Sequence, residues 1–293
     1  MGVDLVGLYW TVSGPVVVHI GREWSYFTWE DRCAEAVKVG FKGLGLWSAD
    51  IEHQLEKGAT LESMANVWHD HGLKHLELEF VADFFTDEGT PERAASDKTR
   101  KLLFDAAAAF GADHVKVGNI PGTPCEHDKL IEQYAALCAD AKNHTDAKVL
   151  YEFMPFDVNV HDLDTAISLV TGAGADNGGL VIDTWHMAKL GIAPDDLRKI
   201  PLEYLSWIEL SDGKLDWIAD DDHIDEVVNH RNLPGEGEFD IRGYVDAAID
   251  HGYTRPWGVE VLSEELRNNE IDVIFRRAYD ATAAQFRTTP APA

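Results

Sequence analysis

Residues 148–186 decide the fold, and they read KVLYEFMPFDVNVHDLDTAISLVTGAGADNGGLVIDTWH. Two short β-rich runs, Lys148–Phe153 and Leu180–Asp183, enclose a segment of helical period at Leu163–Val170. This order is typical of two parallel strands joined by a crossover helix. The stretch therefore predicts a parallel sheet whose strands are covered by helices.

The same strand and helix unit recurs along the whole chain. Further strands are predicted at Val3–Tyr9, Gly43–Trp47, His75–Phe80, His114–Gly118, Trp207–Ser211 and Gly258–Leu262. Further helices are predicted at Trp29–Val39, Leu61–His71, Glu92–Phe110, Leu130–Ala141, Leu197–Lys199, Tyr244–His251 and Glu264–Ala284. Eight strands, each followed by a helix, predict an α/β protein with the (β/α)8 TIM-barrel fold.

Glycines mark the ends of several predicted helices. Gly40, Gly72, Gly111 and Gly252 each follow a helical stretch and precede a strand, as a left-handed helix C-cap requires. We predict one domain over residues 1–285 and a frayed tail over residues 286–293, because no Pro/Ser-rich linker comes before the final TTPAPA. The competing open, doubly wound sheet usually has a glycine-rich phosphate turn after its first strand, and residues 10–15 carry no GxGxxG.

Composition excludes several classes of protein. The chain has 293 residues, 45% of them hydrophobic, and its 25 basic and 52 acidic side chains give a net charge of −27. Such a surface repels phosphate backbones and anionic lipids, so we expect neither a nucleic-acid nor a membrane partner. Cys33, Cys125 and Cys138 form no CxxC motif, which argues against a disulfide scaffold or a zinc finger. The amino-terminal residues do not resemble a signal peptide, and we predict a cytoplasmic protein.

A carboxylate stands in or directly after each of the last four strands: Glu152, Asp183, Glu209 and Glu260. The carboxyl ends of barrel strands face the active-site mouth, where four acids repel one another unless a cation lies among them. One such acid alone would be explained by solvent exposure or by an arginine partner. Four on consecutive strands predict a site for one divalent cation, and oxygen ligands favour Mn²⁺ or Mg²⁺.

Such a site suggests a reaction. A divalent ion chelated by a hydroxyl and a neighbouring carbonyl acidifies the adjacent C–H, and a nearby carboxylate removes the proton. The product is a metal-stabilised enediolate. We therefore expect an isomerase or epimerase of a sugar or polyol, with a dehydratase or other lyase as the alternative that uses the same enolate to expel a β-leaving group.

These residues resemble the xylose isomerase-like TIM barrels, which include sugar epimerases and isomerases, inosose and 3-dehydroshikimate dehydratases, and endonuclease IV. The resemblance covers most of the chain and is densest over residues 148–267. Its carriers are Glu152 in YEFMPF, Asp183 and His186 in DTWH, the strand WIELSD, the stretch HRNLPGEG at residues 230–237, and Glu260 in GVEVLSEELR.

The resemblance implies roles for these residues. The metal would be held by Glu152, Asp183, the strand-seven residue Glu209 and Glu260. The catalytic acid and base would be Glu152 and Glu260. His186 and Arg231 would touch substrate oxygens. From the residues alone, His186 also fits a core histidine at a helix start, and Arg231 also fits an ion-pair partner of Glu236 or Asp240.

The chain departs from the family pattern at two places. Glu209 stands where many members have a metal-binding histidine, and the segment after Glu152 has the Glu-x-x-Pro pattern of the dehydratase side of the superfamily. A phosphodiesterase like endonuclease IV is disfavoured, because its trinuclear site needs more strand-end histidines. A non-catalytic binding role stays conceivable if Glu209 no longer ligates a metal.

Three further substrate contacts are predicted in the first half of the chain. Lys116 and Glu79 are charged residues within apolar strands, and a long charged side chain on a barrel strand either reaches the mouth or pairs across the interior. Trp10 lies near a strand end, where an aromatic wall stacks on a sugar ring. We expect the partner to be a small sugar, polyol or cyclic hydroxy-ketone. A homo-oligomer or a partner subunit is compatible with the resemblance.

Overall fold

Eight parallel strands form the centre of the protein. The computed structural model describes residues 2–18, 22–218 and 223–286. The strands are β1 Leu5–Gly7, β2 Gly43–Trp47, β3 His75–Val81, β4 His114–Val117, β5 Lys148–Glu152, β6 Gly178–Asp183, β7 Leu205–Leu210 and β8 Trp257–Val259. Each strand pairs with the next in chain order, and β8 pairs with β1. The sheet is therefore closed, and the predicted (β/α)8 barrel is confirmed.

Helices surround this barrel. They are α1 Tyr9–Val12, α2 Trp29–Val39, α3 Ser48–Glu56, α4 Leu61–Asp70, α5 Pro91–Phe110, α6 His127–Ala141, α7 Leu163–Ala173, α8 Thr184–Lys189, α9 His223–Asn229, α10 Ile241–His251, α11 Glu264–Arg267 and α12 Ile271–Ala284, with a 3₁₀ turn at Pro194–Lys199. In the described part of the chain, none of them combines the length and the apolarity needed to cross a bilayer.

Local capping explains why several helix bounds are readable from sequence. The Thr28 side chain accepts a hydrogen bond from the Asp31 amide at the start of α2, and Gly40 ends that helix with a φ of 119°. Gly111 and Gly252 end α5 and α10 in the same left-handed region. Gly72 has a φ of 76° and lies one residue beyond the C-cap of α4.

The structure differs from the sequence prediction where short helices follow strands directly. Tyr9, predicted as strand, begins α1. The long helix predicted over Glu264–Ala284 is two helices, α11 and α12, because Glu270 is extended as the N-cap of α12. Beyond the predicted domain bound, the Phe286 ring packs 5.0 Å from that of Trp257, and residues 287–293 of the predicted tail lie outside the described residues.

Alternation along the strands separates two cores. Val6, Leu8, Leu150, Val181 and Trp207, which belong to or directly follow four different strands, form a cluster of their own. The larger apolar cluster packs strands against helices. Successive side chains of a strand point to opposite faces, so the residue two positions after an interior one is also interior. Glu152, Asp183 and Glu209 follow Leu150, Val181 and Trp207 by two residues each, so they also lie inside the barrel.

Candidate active site

The four acids predicted as metal ligands meet inside the barrel. Glu152 and Asp183 are the last residues of β5 and β6, Glu209 is the next to last of β7, and Glu260 directly follows β8. Each offers one carboxylate oxygen, and these four oxygens all lie within 4.8 Å of one another. All four side chains are buried. The convergence expected from their strand-end positions is present.

The Lys116 ammonium lies among these acids. Its Nζ is 2.9 Å from Glu209 Oε1 and 2.9 Å from Glu260 Oε1, and 3.6 Å from Glu152 Oε2. It also faces two acids of β3, with Nζ 3.4 Å from Glu77 Oε1 and 3.5 Å from Glu79 Oε2. Contacts from β4 to β7 and β8 are possible only across the barrel interior. Lys116 is therefore an internal cation shared by five glutamates.

Burial and mutual repulsion shift the pKa values of this cluster. Burial raises the pKa of Glu260 to about 7, with Lys116 opposing the shift and Glu152 adding to it. Burial and neighbouring acids likewise raise the pKa values of Glu79 and Glu209 well above their usual range. Burial disfavours the Lys116 ammonium, but the surrounding carboxylates outweigh it and raise the pKa of Lys116. One lysine does not compensate the whole negative charge.

Arg231 contacts the cluster from the loop between β7 and β8. Its Nη1 lies 2.6 Å from Asp183 Oδ2 and 3.5 Å from Glu260 Oε2. Its Nε donates a hydrogen bond to the Val227 carbonyl, and its guanidinium carbon lies 4.9 Å from the Trp185 ring centroid. Burial alone would raise the pKa of Asp183, but the positive charges of Arg231 and His186 outweigh this effect, and the net result is a lowered pKa.

Those contacts decide between the two interpretations of the Arg231 ion pairs. Glu236 lies 3.7 Å from Arg277 instead, and the Asp240 side chain accepts a hydrogen bond from the Gly243 amide at the start of α10. The acids that hold Arg231 are thus members of the cluster. Its contact with substrate stays a prediction.

His186 lies on α8, one turn beyond Asp183. Asp183 is the N-cap of α8, and its Oδ1 accepts hydrogen bonds from the Trp185 amide and the Ser211 hydroxyl. His186 Nε2 lies 3.4 Å from Glu152 Oε1 and 3.5 Å from Asp183 Oδ2. Its Nδ1 is buried and has no hydrogen-bond partner. The ring is therefore directed at the acids and not only into the core.

A cavity of about 480 Å³, which includes its open mouth, lies above the cluster. Its polar lining consists of Glu79, Glu152, His186, Arg231 and Glu260. The remaining walls are apolar, and their aromatic members are Trp10, Trp47, Phe80 and Phe156. Trp10 and Glu79, predicted to contact substrate, thus line this space. Lys116, predicted to do the same, is fully buried and is not part of the lining.

Glu77 and His114 also belong to the cluster, although neither was predicted as a site residue. Glu77 precedes Glu79 by two residues on β3, so strand alternation could have placed both inside the barrel. The same argument places His114 beside Lys116 on β4. His114 Nε2 lies 2.8 Å from Glu77 Oε2, and Lys116 and His114 outweigh burial and lower the pKa of Glu77 to about 2.

The cluster fits a divalent cation. Glu152 Oε1 and Glu79 Oε1 are buried without a hydrogen-bond partner, which is costly for a carboxylate oxygen unless a cation compensates it. Among the described residues, the basic side chains that face these acids are Lys116, Arg231, His114 and His186, against six acids (Glu77, Glu79, Glu152, Asp183, Glu209 and Glu260). The donor set is rich in carboxylate oxygens, as hard divalent ions prefer. Such a site can polarise a carbonyl and place a carboxylate beside an acidified C–H.

Known proteins similar to the chain are enzymes acting on small molecules. The chain is 26% identical to a 3-dehydroshikimate dehydratase of Pseudomonas aeruginosa over 78% of its own length, and it spans only 35% of the length of that protein. It is 21% identical to an inosose isomerase of Bacillus velezensis over 84% of this chain and 88% of that protein.

Solved structures agree with the fold. The IolI protein, solved with a bound zinc atom, superposes with a TM-score of 0.78 at 18% identity, covering 96% of this chain and 97% of that one. D-allulose 3-epimerase from Methylomonas sp. superposes with a TM-score of 0.72 at 14% identity, covering 97% and 98%.

The family described as xylose isomerase-like TIM barrel matches residues 33–280. That match includes seven of the eight strands and all of the residues in the acidic cluster. The chain therefore belongs to the xylose isomerase-like TIM barrel family.

Proposed function

We propose that this protein is a divalent-metal-dependent isomerase or epimerase of a sugar, polyol or cyclic hydroxy-ketone. The observation that carries the proposal is the convergence of Glu152, Asp183, Glu209 and Glu260 within 4.8 Å beside a cavity that is open to solvent. The likeness to inosose isomerase over most of both chains supports the same class.

In this proposal those four acids hold one ion, Mn²⁺ or Mg²⁺. When bound, the ion would polarise a substrate carbonyl and acidify the neighbouring C–H. The protein's own part is to move the proton. Glu152 and Glu260 line the cavity from different strands, so one carboxylate can accept the proton of the acidified C–H while the other returns one.

His186 and Arg231 bind and orient the substrate in this reaction. His186 Nδ1 has no hydrogen-bond partner in the described part of the chain, and the Arg231 guanidinium carries donors suited to a substrate oxygen that gains negative charge. Trp10, Trp47, Phe80 and Phe156 exclude water from the reacting atoms.

The second candidate is a dehydratase. The 26% identity to part of a 3-dehydroshikimate dehydratase is compatible with it, as is the Glu-x-x-Pro pattern after β5. In that reaction the same carboxylate would remove the proton next to the carbonyl. The β-hydroxyl would then take up a proton and leave as water, and no proton would return to the carbon.

Proton NMR in D₂O separates the two candidates. The Mn²⁺- and Mg²⁺-supplemented protein is incubated with a panel of ketoses, inososes, 3-keto-glycosides and 3-dehydroshikimate. We expect loss of the signal of the proton next to the carbonyl and conversion to an isomer. Loss of water would favour the dehydratase, and absence of exchange and conversion across the panel would contradict both.

Arg231→Lys should lower kcat by about a hundredfold with a smaller change in KM. The lysine keeps the charge and loses the fork of donors, and a single donor to a developing oxyanion is worth about that factor. Steady-state kinetics and melting curves are measured together. If Arg231 only neutralises Asp183 and Glu260, Arg231→Lys will keep its kcat, and Arg231→Ala will lower the melting temperature.

Metal-free protein should become less stable as pH rises from about 5 to 7. Glu79, Glu209 and Glu260 have raised pKa values, so the folded state binds more protons than the unfolded state in this window, and the free energy of unfolding falls as pH rises. Melting temperatures are compared in EDTA and in Mn²⁺. The fall should be smaller in Mn²⁺, because the ion favours the ionised carboxylates. Two parallel curves would contradict this.

A further inference from the structure

The acidic cluster contains three overlapping groups of possible metal ligands, one of which is the four acids proposed above to hold an ion. Of the other two, the first donor set is Glu152, Asp183 and His186, and the second donor set is Glu77, Glu79 and Glu260. In each, one ligand atom from every residue lies within 4.8 Å of the others. All six side chains are buried. By its ligands alone, the barrel has donors for two cations.

Lys116 occupies the second donor set. Its Nζ lies 3.4 Å, 3.5 Å and 2.9 Å from oxygens of Glu77, Glu79 and Glu260, which are all three members of that set. Both oxygens of Glu209 are also within 3.0 Å of it. In the first donor set it approaches only Glu152, at 3.6 Å.

An ammonium at that place excludes a divalent ion from the oxygens that it contacts, which leaves the Glu152 and Asp183 end of the four-acid site to the first ion. The contacts of a lysine Nζ are those of a bound cation, and a second cation among the same oxygens would meet its positive charge at close range in a buried environment. Glu77 Oε1 and Glu79 Oε1 are buried and accept no hydrogen bond from the described residues. The ammonium lies 3.4 Å from Glu77 Oε1 and 3.5 Å from the other Glu79 oxygen, Oε2, and so supplies positive charge to both carboxylates, with His114 as a second partner of Glu77.

We propose that the Lys116 ammonium is a resident cation of the second donor set, so that this barrel takes one divalent ion, and that removing the ammonium creates a second divalent-cation site at Glu77, Glu79, Glu209 and Glu260. The inference rests on the proposed function, in which Glu152, Asp183, Glu209 and Glu260 hold the first ion. Because Lys116 contacts Glu209 and Glu260, that ion would lie toward Glu152 and Asp183, and without the ammonium the two ions would share Glu209 and Glu260.

The test is the metal content of Lys116→Met. Parent and variant are stripped with EDTA, dialysed against Mn²⁺ and analysed for bound manganese per chain, together with their electron paramagnetic resonance spectra. We expect one ion in the parent and two in the variant, with the spectrum of the variant showing coupling between neighbouring ions. Lys116→Arg should keep one ion, because it keeps the charge.

A double variant covers the case in which Lys116→Met does not fold. Lys116→Met with Glu77→Gln removes one positive and one negative charge, so the formal charge of the cluster equals that of the parent, and it should also bind two ions through Glu79, Glu209 and Glu260. Lys189→Met is the matched control, since Lys189 is another fully buried lysine, paired with Glu226 outside the cluster. It should add no ion.

The outcomes separate this inference from the proposed function. Two ions in the parent, or one ion in both folded Lys116 variants, would overturn the inference and leave the proposed metal site standing. No ion in the parent and one in Lys116→Met would support Lys116 as the resident cation and contradict the metal dependence proposed above.

Discussion

Glu152→Gln and Glu260→Gln should each lower kcat/KM by about a thousandfold or more. Each substitution removes a charge from the proposed ion site and a carboxylate that could carry the proton, and general acid–base catalysis alone contributes about 10²–10⁴-fold. Both side chains line the cavity. The measurement is the rate of C–H exchange and turnover on the substrate that the NMR panel identifies.

Glu226→Gln is the matched control for this pair. Glu226 is a buried carboxylate paired with Lys189 and is not part of the cavity lining. Its loss should affect the melting temperature more than kcat. If Glu152→Gln and Glu260→Gln both fold with bound metal and keep near-parental rates, these two residues are not the acid and base.

Removing divalent ions should abolish activity and lower the melting temperature. An ion that binds only the folded state at about 100 times its Kd adds about 2.7 kcal/mol to the free energy of unfolding. For a chain of this size, whose entropy of unfolding is about 2.1 cal/mol/K per residue, that corresponds to a shift of roughly 4 °C. Scanning calorimetry with EDTA, and after adding back Mn²⁺, Mg²⁺ or Zn²⁺, measures the effect and ranks the metals.

Asp183→Asn provides the internal comparison for the metal experiment. It removes an acid that lies within 4.8 Å of the other three proposed ligands and that pairs with Arg231, so its ion-dependent shift should shrink although its basal stability also changes. A melting temperature and a rate that do not respond to EDTA in the parent protein would exclude the proposed ion.

Sequence reasoning placed regular elements well where local chemistry sets their limits. The bounds of α2 and β2 agree with prediction. Helix α2 begins after a threonine N-cap and ends at a left-handed glycine, and β2 is itself a short, fully buried run. It did not find α3 or α8, which begin directly where β2 and β6 end. A strand that passes straight into a helix leaves no turn residues to mark the boundary.

The sequence by itself determined the barrel and the inward position of its acids. Strand count, helix caps and the two-residue alternation are local properties, and they suffice to bring Glu152, Asp183, Glu209 and Glu260 to one mouth. Their metal-binding role follows from the proposal and not from this placement alone.

Only the tertiary structure decided which charges neutralise one another. Lys116 is 93 residues from Glu209 and 144 from Glu260 along the chain, and Arg231 pairs with Asp183 rather than with the nearby Glu236 or Asp240. A closed barrel brings strands far apart in sequence within the length of one side chain. Because an ion pair depends on distance in space, spacing along the chain allowed Lys116 to pair across the interior but could not identify the five glutamates that surround it.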